Sequence, residues 1–350
     1  MSIRLFHDIP SPFTTLFGTI DGHVQSGGPV FIGTPGSVTP RTNKNGTQYF
    51  VHRFYDGSGK QKETYLGVEG ECDDQVFALR EQIREAKSLV PELRLLIRAG
   101  YQCADAKNYA TMATLHKHGL FAAGATLIGS HAFGVILNHM GVRAAAYATD
   151  DIDVARSESL AFEQQLNCSF LDILRESGIH FIEVPQLDPR IPSSSFKQQG
   201  RSQFHVDLLM PSVDDDIHIV PVPELKAHAT ALPFLSYLLA KTQICTLISR
   251  EGSCPVRVPS PERFAIHKLV VSQLRTNMDV KSQKDIMQAS ILLAAMAEHY
   301  PGAIESAVDD LPATARKNLV KASSLTLGKL QGYPRAVEEF STALGITAGS

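Results

Sequence analysis

Thr149-Asp150-Asp151-Ile152-Asp153-Val154 sets two carboxylates two residues apart inside an apolar, strand-like run. On a β-strand, residues i and i+2 point to the same face, so Asp151 and Asp153 stand side by side. Two ionised carboxylates at that spacing repel each other and are costly to desolvate unless a cation lies between them. The stretch therefore predicts a strand that carries a divalent-metal site.

A third acid fits the same plan. Phe204-His205-Val206-Asp207-Leu208-Leu209-Met210 reads as a buried strand with one carboxylate in its middle, a residue that a core tolerates only with a partner. Three acids on adjacent strands can hold two Mg²⁺ ions about 3.5–4 Å apart, an arrangement suited to phosphoryl or nucleotidyl transfer. Oxygen-only ligation favours Mg²⁺ or Mn²⁺ over zinc. Upstream, Leu127-Ile128-Gly129-Ser130-His131-Ala132-Phe133-Gly134 reads as a short strand turning through glycine into a helix that runs to about Met140. With Ser130 at its cap, the free N–H groups of the first turn suit a phosphate.

An apolar strand, Gly-Ser, a helix, then Asp-h-Asp and a later lone Asp resemble the DNA polymerase beta-like nucleotidyltransferase superfamily. Within it the chain is most similar to the uncharacterised bacterial nucleotidyltransferase-fold proteins, and more distantly to nucleotidyltransferases of abortive-infection toxin systems. The resemblance covers roughly residues 110–295, with one departure: the gap from Ser130 to Asp151 is longer than usual, as though Gly141-Val142-Arg143-Ala144-Ala145-Ala146-Tyr147 were inserted. It implies an α+β fold, a mixed-sheet core with helices, flanked here by a small N-terminal β module and C-terminal helices. It also implies Asp151, Asp153 and Asp207 as catalytic metal ligands, Gly129 and Ser130 as phosphate-binding residues, and a nucleoside triphosphate as substrate.

Downstream, Pro259-Ser260-Pro261-Glu262 is a helix start with Ser260 as cap, and Lys281-Ser282-Gln283-Lys284-Asp285 opens another helix. Lys268 on the first and Lys284 on the second resemble positions at which related nucleotidyltransferases contact nucleotide phosphates. Taken singly, each is equally well a solvated helix lysine.

Of the 350 residues, 43% are hydrophobic and 20% charged, enough to bury one substantial core plus a smaller module. No apolar run reaches the ~18–20 residues that span a membrane, and the first residues lack the order of a signal peptide, so a cytoplasmic location is expected. Cys72, Cys103, Cys168, Cys245 and Cys254 are scattered without CxxC spacing, which predicts neither disulfides nor a zinc site. A net charge of −3 argues against a uniformly basic nucleic-acid binder, though not against a local patch.

Such a patch is expected near the N-terminus. Residues 1–45 read as an irregular arm or short strands, and residues 48–55 and 62–67 as a β-hairpin about the turn Asp56-Gly57-Ser58-Gly59-Lys60. Arg53, Lys60 and Lys62 interleave with Tyr49, Tyr55 and Tyr65, a composition that suits an RNA acceptor and equally a small sheet with ordinary surface charge. The expected division is a hairpin module over 1–72, a linking helix over 73–100 that Pro91 kinks or restarts, a catalytic core over 101–258 and a helical region over 259–350. A helix is expected over about 158–175 and a strand near 180–184. Arg190, Lys197 and Arg201 lie near the third acid and could meet a triphosphate or acceptor. The leading function is metal-dependent transfer of a nucleoside monophosphate to an acceptor hydroxyl. The alternatives are a catalytically silent nucleotide- or nucleic-acid-binding module, and a toxin or defence enzyme with an antitoxin-like partner that modifies tRNA or protein.

Overall fold

The computed structural model describes residues 4–145, 151–162, 166–186, 188, 190–214, 216–274 and 280–346. Thr149 and Asp150 of the acid stretch, and Ala146 and Tyr147 of the inserted segment, lie outside them.

The chain opens with β1 (His7–Asp8) and α1 (Ser11–Gln25). The helix corrects the expectation of an irregular arm. Pro12 sits in its first turn, and Phe17, Ile20 and Val24 recur on one face at helical spacing, buried against Leu93, Leu96 and Tyr101. Strands β2 (Ser37–Thr42), β3 (Gln48–Tyr55) and β4 (Gln61–Val68) form an antiparallel sheet containing the expected hairpin. Its turn is built around Asp56, whose Oδ1 accepts from the Ser58 N–H and hydroxyl and from the Lys60 N–H. Helix α2 (Asp73–Ala99) runs through Pro91 without restarting, and ends at Gly100 in the left-handed region.

After α3 (Ala106–Lys117) comes the central mixed sheet. Its strands are β5 (Thr126–Ile128), followed by α4 (Gly129–His139) and the separate β6 (Val142–Arg143), then β7 (Asp151–Ala155). Helix α5 (Phe170–Glu176) leads to β8 (Phe181–Glu183), β9 (Ser195–Gln198), β10 (His205–Pro211), β11 (His218–Val222) and β12 (Ala227–Leu232). The order is β11-β12-β10-β7-β5, with β9 also pairing β10 and β8 pairing β9. The seeming insertion before the acids has a role in the fold: β6 pairs antiparallel with β1, with Arg143 opposite His7. Helix α5 is shorter than expected. Glu224 takes hold of the chain after β7, 2.9 Å from Arg156 and accepting from the Leu160 N–H, while Ser169 and Asp172 form a capping box that starts the helix only at Phe170.

Short α6 (Leu235–Leu239) and the hairpin β13 (Thr242–Ile248) and β14 (Ser253–Pro259) precede the helices α7 (Pro261–Ser272), α8 (Val280–His299), α9 (Ala303–Asp309), α10 (Ala313–Leu330) and α11 (Pro334–Leu344). Ser260 is the residue before α7 as expected, but its hydroxyl makes no cap bond. One large core joins the sheet to these helices, from Leu127, Ile152, Val154 and Val206 to Leu269 and Leu293. The N-terminal elements are stitched to it. Phe6 stacks on Tyr333, whose hydroxyl accepts from the Leu5 N–H, and the Gly57 N–H donates to Ser177. Among the described residues no helix is long and apolar enough to cross a membrane, and the five cysteines are free thiols.

Candidate functional site

The sheet decides which side chains meet. Along β7 the buried residues are Ile152, Val154 and Ala155, which leaves Asp151 and Asp153 on the opposite face; along β10 Val206 and Leu208 are buried, which leaves His205 and Asp207. The two strands are parallel neighbours, with Asp207 opposite Asp153 and His205 opposite Asp151. The three acids therefore share one patch of one sheet face.

His205 lies among them. Its Nδ1 is 3.2 Å from Asp151 Oδ1 and 2.8 Å from the Gln203 carbonyl, and its Nε2 is 3.4 Å from Asp207 Oδ2. The hydrogen bond to Asp207 leads the influences that raise its pKa to about 9, so the ring is an imidazolium at neutral pH. Asp207 also accepts from the Ser195 hydroxyl of β9. The ring therefore stands within ion-pair distance of two of the three acids. Among the described residues no three His, Cys, Asp or Glu side chains stand as they are in a metal-holding geometry.

Asp153 is the deepest of the acids. Burial first, and then the charge of Asp207, push its pKa up to about 6, Asp151 adding to the rise while Lys268 and His205 oppose it. Lys268 on α7 and Lys284 on α8 face the acids from the helical side. Nζ of Lys268 is 2.6 Å from Asp285 Oδ1. Burial and the charge of Lys268 lower the pKa of Lys284, against the fields of Asp285, Asp151 and Asp153. Both lysines expected from the sequence thus join the acid cluster electrostatically.

Gly129 begins α4 with φ +70°, and Ile128 before it pairs with Asp153. The residue flanking the helix is Ile128, so Ser130 stands in the first turn and not at the cap. The glycine is nevertheless against the acids, because a Cβ on it would lie 2.0 Å from Asp153 Oδ2. Away from the site, Asp214 accepts from the Ser212 hydroxyl and from the Asp216 N–H, as a turn residue does. Sequence reasoning missed His205 as the residue bridging the acids, and Ser195. The alternation of Ser195 and Lys197 about the buried Phe196 was a readable sign of a strand facing the site.

No curated protein and no solved structure matches the chain. The model of a family described as nucleotidyltransferase matches residues 108–312, from the first turn of α3 to just beyond α9. That span contains the acids, the Gly-Ser turn and both lysines while leaving out the N-terminal sheet, and because it takes in more than half of the sequence, the chain belongs to the nucleotidyltransferase family.

Proposed function

We propose that the protein transfers a nucleoside monophosphate from a nucleoside triphosphate to an acceptor hydroxyl, using Mg²⁺ or Mn²⁺ held by Asp151, Asp153 and Asp207. The observation that carries this reading is a row of three carboxylates on two neighbouring strands, faced by Lys268 and Lys284, inside the segment that the family covers. The donor set fits a hard divalent cation. Its ligands are carboxylate oxygens, and Asp153, its pKa raised first by burial and then by the charge of Asp207, gains from any positive charge that replaces a proton. Binding requires the His205 ring to yield its place between Asp151 and Asp207. Such ions, when bound, supply Lewis acidity at the α-phosphate and neutralise charge on the leaving group.

The chain's own residues do the rest. The first turn of α4, with Gly129 and Ser130, offers N–H and hydroxyl donors to the β- and γ-phosphates. Lys268 and Lys284 neutralise the same phosphates. Asp207 orients the acceptor side. The acceptor hydroxyl oxygen bonds to the α-phosphorus, the bond from that phosphorus to the α–β bridging oxygen breaks, pyrophosphate leaves with the electron pair, and the hydroxyl proton passes to solvent. We assign the choice of acceptor, an RNA, to the module over residues 1–72, with 73–100 as the link, 101–258 as the core and 259–350 as its helical flank.

The closed Asp151–His205–Asp207 arrangement supports one second reading, a nucleotide-binding module that carries out no transfer. Incubating the purified protein with each α-labelled triphosphate, Mg²⁺ or Mn²⁺, and total RNA or lysate separates the two. Label transferred by the wild type and lost in Asp153→Asn supports transfer, whereas triphosphate binding with no label moved under either metal supports the silent module.

A further inference from the structure

Both carboxylate oxygens of Asp207 have partners. Oδ1 accepts from the Ser195 hydroxyl, and Oδ2 stands 3.4 Å from His205 Nε2. The two partners are not equivalent. His205 reaches the acids from β10 itself, and a cation shared by Asp151 and Asp207 takes its place. Ser195 comes from the neighbouring strand, opposite Asp207 in the antiparallel register of β9 on β10, and its bond is to the other oxygen.

Strand β9 gives that hydroxyl a fixed base. The Ser193 hydroxyl accepts from the Ser195 N–H and donates to the Ser195 carbonyl, and the Val184 N–H donates to the same carbonyl. The Ser194 carbonyl accepts from the Leu208 N–H, and the Ser194 hydroxyl meets that of Thr230 on β12 at 2.7 Å. On the other side, Phe196 is buried edge-on against Phe170. Backbone and core thus pin the chain before and after position 195.

The wells of an aspartate's last torsion are broad, so an untethered carboxylate swings. With Oδ1 tied to Ser195, Oδ2 remains for the position that His205 occupies, and a cation can claim it without breaking the serine bond. A hydrogen bond to the outer oxygen of a ligating carboxylate sets its orientation, and losing such a partner typically costs on the order of 10–100-fold in metal affinity or activity. We propose that Ser195 is a positioning residue of the site: its hydroxyl holds Asp207 in one orientation, with Oδ2 directed at the shared cation. The proposal rests on the metal-dependent nucleotidyl-transfer reading.

The test uses the full chain and Mn²⁺, the free ion followed by electron paramagnetic resonance, with urea unfolding alongside. Ser195→Ala lowers Mn²⁺ affinity about tenfold. Ser195→Thr keeps the hydroxyl on a residue that suits a strand and restores most of that affinity. Ser194→Ala is the structural control: it removes a hydroxyl bond that pins the same segment without touching an acid, so it lowers the urea midpoint and leaves Mn²⁺ affinity unchanged. Wild-type affinity in Ser195→Ala overturns the positioning role. An equal loss in Ser194→Ala, or no recovery in Ser195→Thr, overturns it as well, because the effect would then belong to the strand and not to the hydroxyl. Mn²⁺ binding that is lost in Asp153→Asn and intact in Ser195→Ala removes the role and leaves the metal reading standing. A wild type that binds no Mn²⁺ removes both.

Discussion

Gly129 and Asp153 are mutually exclusive with any side chain between them: a Cβ on Gly129 would stand 2.0 Å from Asp153 Oδ2, and the glycine has φ +70°. The turn into α4 can approach the acids only because position 129 is bare. The first atom that a side chain at this position would crowd is an acid oxygen.

Gly129→Ala is therefore expected to cost more than backbone strain. Gly119 is the internal control, with φ +74° and nothing within 4 Å of an added carbon. Gly119→Ala should cost about 1–2 kcal/mol, the penalty of a left-handed residue, and Gly129→Ala should exceed it and also weaken triphosphate binding. Urea unfolding of the two variants checks this. Equal losses would mean that the Asp153 carboxylate moves aside freely.

Lys268 and Asp285 form a pair whose side chains are only 14% and 4% exposed. Breaking such a pair from one side leaves an uncompensated charge, so Asp285→Asn should destabilise by about 3 kcal/mol or more. Lys268→Met with Asp285→Leu should cost clearly less than the sum of the single changes. Strict additivity in denaturant unfolding would show that the two are not coupled. Because Lys268 also restrains the pKa of Asp153, Lys268→Met should raise that pKa further, which a carboxyl titration by NMR would detect.

The elements that were legible in the sequence are those whose signal is local. Alternation of Ile152 and Val154 with Asp151 and Asp153, and of Val206 and Leu208 with His205 and Asp207, marks two strands with one acidic face. The proline after Ser260 marks α7, and the spacing of Val76, Ile83, Ala86 and Leu93 marks α2. What was not legible depends on partners far along the chain. The Asp151–His205 contact follows from the register of β7 on β10, which no single stretch encodes. Helix α5 starts late because Glu224 holds the Leu160 N–H and the Ser169–Asp172 capping box sets the first turn at Phe170. The helix in the N-terminal arm was hidden by the glycines at 18 and 22, and its apolar face is covered by Leu93 and Leu96, some seventy residues away.

His267 on α7 sets a pH dependence of stability. Its Nε2 is buried and has no hydrogen-bond partner among the described residues, and burial together with the charge of Lys268 lowers its pKa to about 3. A histidine whose folded pKa is depressed binds its proton more tightly when unfolded. Its contribution is thus complete above the ordinary value near 6.5 and is lost as the pH falls from there towards 3. At pH 5 the loss should be about 2 kcal/mol relative to pH 8. His267→Leu should remove this part of the acid sensitivity, read as the difference between wild-type and variant urea midpoints at the two pH values. Parallel pH profiles would show that the ring is solvated in the folded protein.

On the proposed reading, a divalent ion held by the three acids competes with His205 for the carboxylates of Asp151 and Asp207. With its two nitrogens 3.2 Å from Asp151 and 3.4 Å from Asp207, the ring screens the acids in the metal-free protein, and any ion held by all three must displace it. His205→Gln removes a positive charge and keeps a side chain that can hydrogen-bond. The metal-free variant should lose stability, because the acids face one another without their shared cation. Its Mn²⁺ affinity should rise by about tenfold, ~1.4 kcal/mol of competition relieved, measured at pH 7 from the electron paramagnetic resonance signal of free Mn²⁺. A ring that ligates the ion gives the opposite sign, with weaker Mn²⁺ binding in His205→Gln and hyperfine coupling to nitrogen in the wild type. Asp153→Asn is the reference for either outcome: it should abolish Mn²⁺ binding with His205 in place, because Asp153 stands on one face between Asp151 of its own strand and Asp207 opposite it, and its pKa, raised first by burial and then by Asp207, shows how much it gains from a positive charge. Mn²⁺ bound equally by Asp153→Asn and the wild type would place the cation elsewhere and remove the acids from the proposed chemistry.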